Sequence, residues 1–303
     1  MTPITICGGN PREKKYVSIG NETLAYLDEG QGDVVLMLHG NMSSSVHYGP
    51  LIERLQGSFR CVAPDLRGFG DSSYNNRFDT MDELAEDVKL LLDALNIDKV
   101  YLVGWSNGGG VGLKLCAMYP EKVKKFFSIE GASHKGYPLF RKDEKFQSTT
   151  EPYANKEEMA TDPMQVAPML RVFEGKDAAM MKSVWDATIY TVGKPTEAQS
   201  ELWIAETLKQ RNLVDLDWSL ATLNMSDVFT PYGKGDGSIH KVTCPVALTM
   251  GDKDVIVPPH MVMENHQALG DLCTLLPYEN CGHSPMVDCP DRMAQDVITF
   301  FKD

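Results

Sequence analysis

Two kinds of hydrophobic pattern alternate in the first and last parts of the chain. Tyr16–Ile19 and Thr23–Leu27 flank Gly20-Asn21 and predict a hairpin. Apolar positions recur at helical spacing in Thr80–Leu95, where Thr80 and Glu83 match a capping box. Val34–Leu38 is a continuous apolar run, as is typical of a strand buried on both faces. Strands are also predicted at Phe59–Ala63, Lys99–Val103, Val123–Ile129, Val246–Met250 and Leu272–Leu276. This alternation predicts an α/β fold with a mostly parallel sheet covered by helices.

The middle of the chain has a different pattern. Between Ser133 and Ile239 no convincing buried strand occurs, and helices are predicted at Lys156–Phe173, Asp177–Tyr190, Pro195–Arg211 and Val214–Leu223. We therefore expect residues 1–132 and 240–303 to form one core domain and residues 133–239 to form an inserted helical cap. Such a cap is expected over the carboxyl ends of the strands, where open α/β sheets bind ligands.

A short glycine-containing motif follows the strand predicted at Lys99–Val103. Gly104-Trp105-Ser106-Asn107-Gly108 has the form G-x-S-x-G and leads into a helix predicted at Asn107–Met118. This arrangement indicates a nucleophile elbow, a sharp turn on which a serine is presented at the edge of a sheet. Ser106 is therefore the candidate nucleophile.

An activated serine requires a base and an acid that orients it. His283 lies in Cys281-Gly282-His283-Ser284-Pro285, after the last predicted strand, and is the candidate base. Asp254 follows the strand predicted at Val246–Met250 and is the preferred acid. Glu130, which ends the strand after the elbow helix, is the alternative acid and otherwise a pocket residue.

The oxyanion of an acyl-transfer reaction requires two N–H donors. One is expected from Asn107, directly after the nucleophile. The other is expected from the loop His39-Gly40-Asn41-Met42, with the main chain of Asn41 preferred, Met42 second and the Asn41 side chain as a possible further donor. His39 is expected to brace this loop.

Taken together, these motifs resemble the α/β-hydrolase superfamily in its lidded branch. That branch includes haloperoxidase-like esterases, lactonases, carbon–carbon bond hydrolases, epoxide hydrolases and haloalkane dehalogenases. The resemblance is carried by His39-Gly40-Asn41, Asp65–Ser72, Gly104–Gly108, Gly251–Asp254 and Gly282-His283. It implies an α/β-hydrolase fold with a mostly parallel eight-stranded sheet, flanking helices and an inserted helical cap, in which catalysis requires no metal and no cofactor.

The nucleophile type narrows the expected chemistry. Epoxide hydrolases and dehalogenases of this superfamily use an aspartate where this chain has Ser106. The sequence therefore predicts a serine hydrolase acting on small-to-medium, partly apolar carboxylic esters or lactones. Two alternatives stay open, a carbon–carbon bond hydrolase of the meta-cleavage type and a ligand receptor on a hydrolase fold.

Charge and cysteine usage restrict the partners. A formal net charge of −13 argues against nucleic acid and anionic membranes, and no run of 18 apolar residues predicts a membrane span. Met1–Lys15 lacks a signal-peptide pattern. Seven cysteines without a C-x-x-C pair favour free thiols and the cytoplasm. We expect a small-molecule substrate and a monomer or homodimer.

Overall fold

The computed structural model describes residues 12–303. Its strands are β1 Lys15–Ile19, β2 Glu22–Glu29, β3 Val34–Leu38, β4 Arg60–Pro64, β5 Val100–Trp105, β6 Val123–Ile129, β7 Phe140–Lys142, β8 Ser148–Pro152, β9 Phe229–Thr230, β10 Gly233–Lys234, β11 Val246–Gly251 and β12 Cys273–Tyr278. Its α-helices are α1 Gly49–Leu55, α2 Met81–Ala94, α3 Asn107–Met118, α4 Lys156–Met159, α5 Val166–Gly175, α6 Ala178–Thr188, α7 Glu197–Thr207, α8 Leu213–Thr222, α9 Pro259–Leu269, α10 Pro285–Asp288 and α11 Pro290–Lys302.

Eight strands form one sheet in the order β1-β2-β4-β3-β5-β6-β11-β12. The β1–β2 and β2–β4 pairs are antiparallel, and all the other pairs are parallel. Two hydrophobic clusters cover the two faces: α2 and α3 contribute to one, and α1 and α11 to the other. The predicted mostly parallel, helix-flanked sheet is confirmed.

The sheet order explains where the nucleophile motif lies. Strand β5 pairs with β3 on one side and β6 on the other, and its register places Gly104 opposite Leu38 and Ser128. The ends of β3, β5, β6 and β11 therefore meet at one edge of the sheet. The loops that carry the candidate site residues follow these ends.

The segment between β6 and β11 contains α4 to α8 together with two small hairpins, β7–β8 and β9–β10. The single helix predicted over Lys156–Phe173 is wrong, because α4 ends before Asp162-Pro163 and α5 begins after it. A residue that precedes proline is disfavoured in the helical region. The Asp162 carboxylate instead accepts hydrogen bonds from the main-chain N–H groups of Met164 and Gln165.

An aromatic stack joins this inserted segment to the core. The ring of His47 lies between the indoles of Trp185 and Trp203, with ring centroids 5.1 and 5.3 Å away. Burial lowers the pKa of His47 to about 3, so the stacked imidazole is neutral. The cap helices α6 and α7 are therefore packed against the core through apolar and aromatic surface.

The structure also bears on the predicted free thiols and on the membrane-span prediction. The six described cysteines are free thiols, as predicted, whereas Cys7 and most of Met1–Lys15 lie outside the described residues. None of the helices in residues 12–303 combines the length and the apolar character that crossing a membrane requires.

Candidate active site

Ser106 occupies the turn between β5 and α3. Its backbone has φ 55° and ψ −118°, which is a strained conformation for a residue with a side chain. The turn is held by the Ser106 N–H, which donates to Ile129 O at 2.9 Å, and by the Gly109 N–H, which donates to Ser106 O at 2.8 Å. The strain is thus balanced by main-chain hydrogen bonds on both sides of the serine.

The second glycine of the motif is required by a close backbone approach. A Cβ atom on Gly108 would overlap the Leu38 carbonyl oxygen at the end of β3. On Gly40, a Cβ atom would lie 3.0 Å from the Ser106 Cβ. These contacts bring the elbow and the loop after β3 together, because neither glycine has a side chain that would separate them.

His283 and Asp254 form a buried pair at the same edge of the sheet. The Asp254 Oδ2 lies 2.7 Å from the His283 Nδ1, and the two side chains are 0% and 2% exposed. Burial opposes the charge on Asp254, but the charge of His283 and two N–H donors hold the pKa of this carboxyl below its usual range. Those donors are Ile256 and Val257, at 2.7 and 3.0 Å from Oδ1.

Three side chains fix the main chain around His283: Asp252, which the sequence predicts to bind main-chain N–H groups of its loop, and Trp105 and Asp288, whose roles the sequence did not indicate. The Trp105 Nε1 donates to the His283 carbonyl at 2.8 Å. Asp288 accepts from the Gly282 N–H at 2.7 Å, and Asp252 accepts from the Cys281 N–H at 3.1 Å. Within residues 12–303 no hydrogen bond joins the Ser106 hydroxyl to His283, and such bonds often form only when substrate is bound.

Glu130 is fully buried but turned toward β11. Its carboxyl group accepts hydrogen bonds from the Thr249 hydroxyl at 2.8 Å and from the Gly251 N–H at 3.0 Å. Burial raises its pKa to about 8, and the neighbouring charge of Asp254 acts in the same direction. The hydrogen bond to the imidazole is therefore made by Asp254, while Glu130 lies behind it and does not line the cavity described below.

The loop after β3 is held by its own side chains. The His39 Nε2 accepts from the Leu66 N–H at 3.0 Å, and its Nδ1 lies 2.8 Å from Gly40 O. Burial lowers the pKa of His39 to about 4, so it is a neutral bracing residue. In the described part of the chain, neither the Asn41 N–H nor the Asn107 N–H has an acceptor.

Two other candidate donors of this loop are already engaged. The Met42 N–H donates to the Asn41 Oδ1 at 2.8 Å, and the Asn41 Nδ2 donates to Asp217 Oδ1 at 2.9 Å. Met42 therefore has no free N–H to offer. The Asn41 side chain is directed toward the cap and has one N–H bond committed there.

A cavity of about 690 Å³ separates the cap from the strand ends, and both Ser106 and His283 line it. Its wall is mainly apolar and includes Met42, Leu139, Met169, Val172, Leu213 and Leu220. Of the four tryptophans only Trp105 lines it; Trp185 and Trp203 pack on His47, and Trp218 packs on Tyr232. The methionine-rich character of the cap thus reaches the cavity, whereas its tryptophans are structural.

A carboxylate cluster away from this cavity has the spacing of a cation site. Ligand atoms of Asp65, Asp71 and Glu206 lie within 4.8 Å of one another. The ammonium group of Lys14 lies 2.8, 2.8 and 2.6 Å from them. Lys14 therefore supplies the compensating positive charge, and these residues do not suit a metal ion.

The sequence profile of the alpha/beta hydrolase fold family matches residues 33–290. The chain therefore belongs to the alpha/beta hydrolase fold family. It is a hydrolase of that superfamily, and the expected family membership is confirmed.

Relatives within the family differ in their reactions. A haloalkane dehalogenase 2 of Mycobacterium tuberculosis is 27% identical over 299 residues, which cover 96% of both chains. A cis-3-alkyl-4-alkyloxetan-2-one decarboxylase of Shewanella oneidensis is 35% identical over 132 residues, or 41% of each chain. The latter match spans less than half of that relative. The structure of an enol-lactonase from Burkholderia xenovorans shares the fold, with a TM-score of 0.71 and 15% sequence identity. The match covers 95% of this hydrolase and 100% of that chain.

Proposed function

We propose that this hydrolase cleaves carboxylic esters or lactones through an acyl-enzyme formed on Ser106. The observation that carries the proposal is the 2.7 Å bond between Asp254 and the Nδ1 of His283, beside the cavity that Ser106 lines. A carboxylate on Nδ1 fixes the tautomer that leaves Nε2 able to accept a proton. The histidine is then suited to activate the serine hydroxyl.

The proposed reaction has two steps. The Ser106 Oγ attacks the carbonyl carbon while the His283 Nε2 takes the hydroxyl proton, and that proton then passes to the departing alkoxide. Water, deprotonated by the same imidazole, next attacks the acyl-enzyme and releases the carboxylic acid. In a lactone the departing alcohol stays joined to the acyl group.

The negative oxygen of each tetrahedral intermediate is assigned to the N–H groups of Asn41 and Asn107. Both groups lack acceptors among the described residues, and Asn107 begins α3, where main-chain N–H groups point out of the helix. Each such donor is expected to lower the barrier by about 3 kcal/mol.

The cavity supports a small-to-medium, partly apolar substrate. Its volume of about 690 Å³ and its lining of methionine, leucine and valine side chains suit an acyl chain or a compact ring. The methionines of the mouth, Met164 and Met180, are 54% and 51% exposed. Flexible thioether side chains at an entrance accommodate substrates of different shape.

Carbon–carbon bond cleavage is the second candidate. A 2-hydroxy-6-oxo-6-phenylhexa-2,4-dienoate hydrolase of Burkholderia cepacia is 34% identical over 140 residues, or 42% of this chain and 47% of that one. A dienoate is an anion, however, and the carboxyl group of Asp217 lines the cavity while Arg171 is at its exposed mouth. Like charges in an enclosed site repel, so we favour neutral esters and lactones.

The test is turnover of nitrophenyl esters with acyl chains of two to eight carbons. Ser106→Ala is expected to abolish turnover of these esters. A fluorophosphonate is expected to label Ser106 in the unmodified protein. Ser183→Ala is the matched control, because Ser183 is an exposed serine of α6 whose hydroxyl bonds to Ala179 O. Unchanged turnover by the Ser106 variant contradicts the mechanism. Tight ligand retention without turnover favours the receptor alternative.

A further inference from the structure

Asp217 lines the cavity and has one carboxyl oxygen without a hydrogen-bond donor among residues 12–303. The residue belongs to cap helix α8 and lines the same cavity as Ser106. Its Oδ1 accepts a hydrogen bond from the Asn41 Nδ2 at 2.9 Å. In residues 12–303 its Oδ2 has no hydrogen-bond donor, and no basic side chain lies within ion-pair distance of it.

The position of this carboxyl group is fixed by an amide network. The Asn41 Oδ1 accepts from the Met42 N–H at 2.8 Å and from the Gln210 Nε2 at 2.9 Å. These two donors identify Oδ1 as the acceptor end of the amide, so Nδ2 is the end that contacts Asp217. Asp217 is therefore held relative to the loop that carries the proposed oxyanion donor.

The cavity wall around Asp217 is largely apolar. Leu213 and Leu220 of the same helix and Met42 of the facing loop line the cavity with it. Burial raises the pKa of Asp217 to about 7, the charge of Asp162 acts in the same direction, and the Asn41 bond opposes both. Near neutral pH the group therefore exists both as a carboxylate, which only accepts, and as an acid, which also donates.

We propose that Asp217 selects substrates that carry a hydroxyl group in addition to the ester or lactone carbonyl, an inference that rests on the proposed function of Ser106. A hydroxyl both donates and accepts, so it satisfies either form of the carboxyl group. An ammonium group fits less well, because it would have to be desolvated in an apolar cavity against a single carboxyl group. An anionic substrate is repelled by the carboxylate form.

The experiment measures binding in the Ser106→Ala variant, where no ester is consumed. The reference ligand is methyl hexanoate. The hydroxylated ligands are methyl 3-hydroxyhexanoate, methyl 6-hydroxyhexanoate and 2-hydroxyethyl hexanoate, the last of which carries the hydroxyl on the alcohol side of the ester. At least one hydroxylated ester is expected to bind about tenfold more tightly than methyl hexanoate, the gain of one hydrogen bond to a charged or strongly polar group. Titration calorimetry gives the ratio of the dissociation constants.

Substitution of Asp217 isolates the contact. Asp217→Leu in the same background is expected to remove the preference for the hydroxylated ester. Asp217→Asn is expected to restore part of it, because its amide still offers an acceptor and a donor. Disturbance of the Asn41 loop alone would change the binding of all the esters equally and leave the ratio unchanged. No measurable preference, no binding of any hydroxylated ester, or a preference that persists in Asp217→Leu overturns the inference.

This design separates the two proposals. Loss of the binding preference, with Ser106-dependent turnover of nitrophenyl esters intact, overturns only the role of Asp217. Absence of turnover in the unmodified hydrolase, with the binding preference intact, overturns the proposed reaction and leaves the hydroxyl site in place.

Discussion

Asp254 and Glu130 are two buried carboxyl groups that the protein treats differently. Asp254 contacts the imidazole of His283 and receives two main-chain N–H donors, and its pKa is held low. Glu130 receives the Thr249 hydroxyl and the Gly251 N–H, and its pKa is raised to about 8 by burial and by the neighbouring Asp254. Only one of the two is therefore suited to stabilise an imidazolium near neutral pH.

This difference predicts an order of effects on ester turnover. Asp254→Asn is expected to lower kcat by about 10³–10⁴-fold, because an amide on Nδ1 favours the wrong imidazole tautomer. Glu130→Gln is the matched control and is expected to stay within about tenfold of the unmodified hydrolase. Steady-state kinetics on one nitrophenyl ester tests this, with circular dichroism to verify folding. A larger loss in Glu130→Gln would identify Glu130 as the acid.

At the scale of a single element, two of the four glycines of the elbow helix α3, Gly108 and Gly110, have different surroundings. A Cβ on Gly108 would overlap the carbonyl oxygen of Leu38, which belongs to the buried strand β3 and cannot move away. A Cβ on Gly110 would meet only the Leu223 Cδ2, at 3.5 Å, an ordinary van der Waals distance. The same substitution should therefore destabilise the protein at Gly108 and be tolerated at Gly110.

Gly108→Ala is expected to lower the free energy of unfolding by about 3 kcal/mol through overpacking. Gly110→Ala is expected to be neutral or to raise the free energy of unfolding by up to about 1 kcal/mol, because alanine is the better helix former. Urea denaturation followed by circular dichroism measures both variants. Equal stability of the two would contradict the close approach between the elbow and β3.

The whole molecule depends on the packing of the cap against the core. Trp203 is 4% exposed and stacks on His47, which belongs to the core. Trp203→Ala is expected to lower the free energy of unfolding by about 3–5 kcal/mol and to accelerate amide hydrogen exchange in α6 and α7. Trp218→Ala is the control, since Trp218 stacks on Tyr232 within the cap. Unchanged exchange in both helices of the Trp203 variant would argue against coupling through this stack.

The stability of the molecule should also depend on pH through Glu130. The folded protein keeps this carboxyl group protonated up to a pKa of about 8, whereas the ordinary value is 4.5. Between these values the folded state binds more protons than the unfolded state, so the free energy of unfolding falls as pH rises. For one group the slope is at most about 1.4 kcal/mol per pH unit.

Glu130→Gln is expected to flatten this decline between pH 5 and 8. Glu201→Gln, at an exposed position of α7, is expected to keep the slope of the unmodified hydrolase. Urea denaturation at several pH values gives the slopes. If the two variants show the same pH dependence, Glu130 does not retain an additional proton in the folded state.

Local periodicity made the alternating strands and helices predictable, together with the strand-to-helix turn at Ser106. The loop positions of His283 and Asp254 were also predictable, because the ends of parallel strands meet at one edge of the sheet. The acid was not fixed by sequence, since Asp254 and Glu130 both follow strands that end there. Their catalytic roles stay predictions. The break between α4 and α5 has a local signal in the sequence, Pro163, whereas the apolar spacing alone predicts one continuous helix.

Only the tertiary structure decided which cap residues lie near Ser106. Asn41 and Asp217 are 176 positions apart, and their contact depends on how α8 packs over the loop after β3. Periodicity shows which face of a helix is apolar, but not which polar residue of that helix reaches a distant loop. The sequence by itself therefore determined the elements and pointed to the sheet edge as the location of the candidate site, while long-range packing decided which side chains line the cavity.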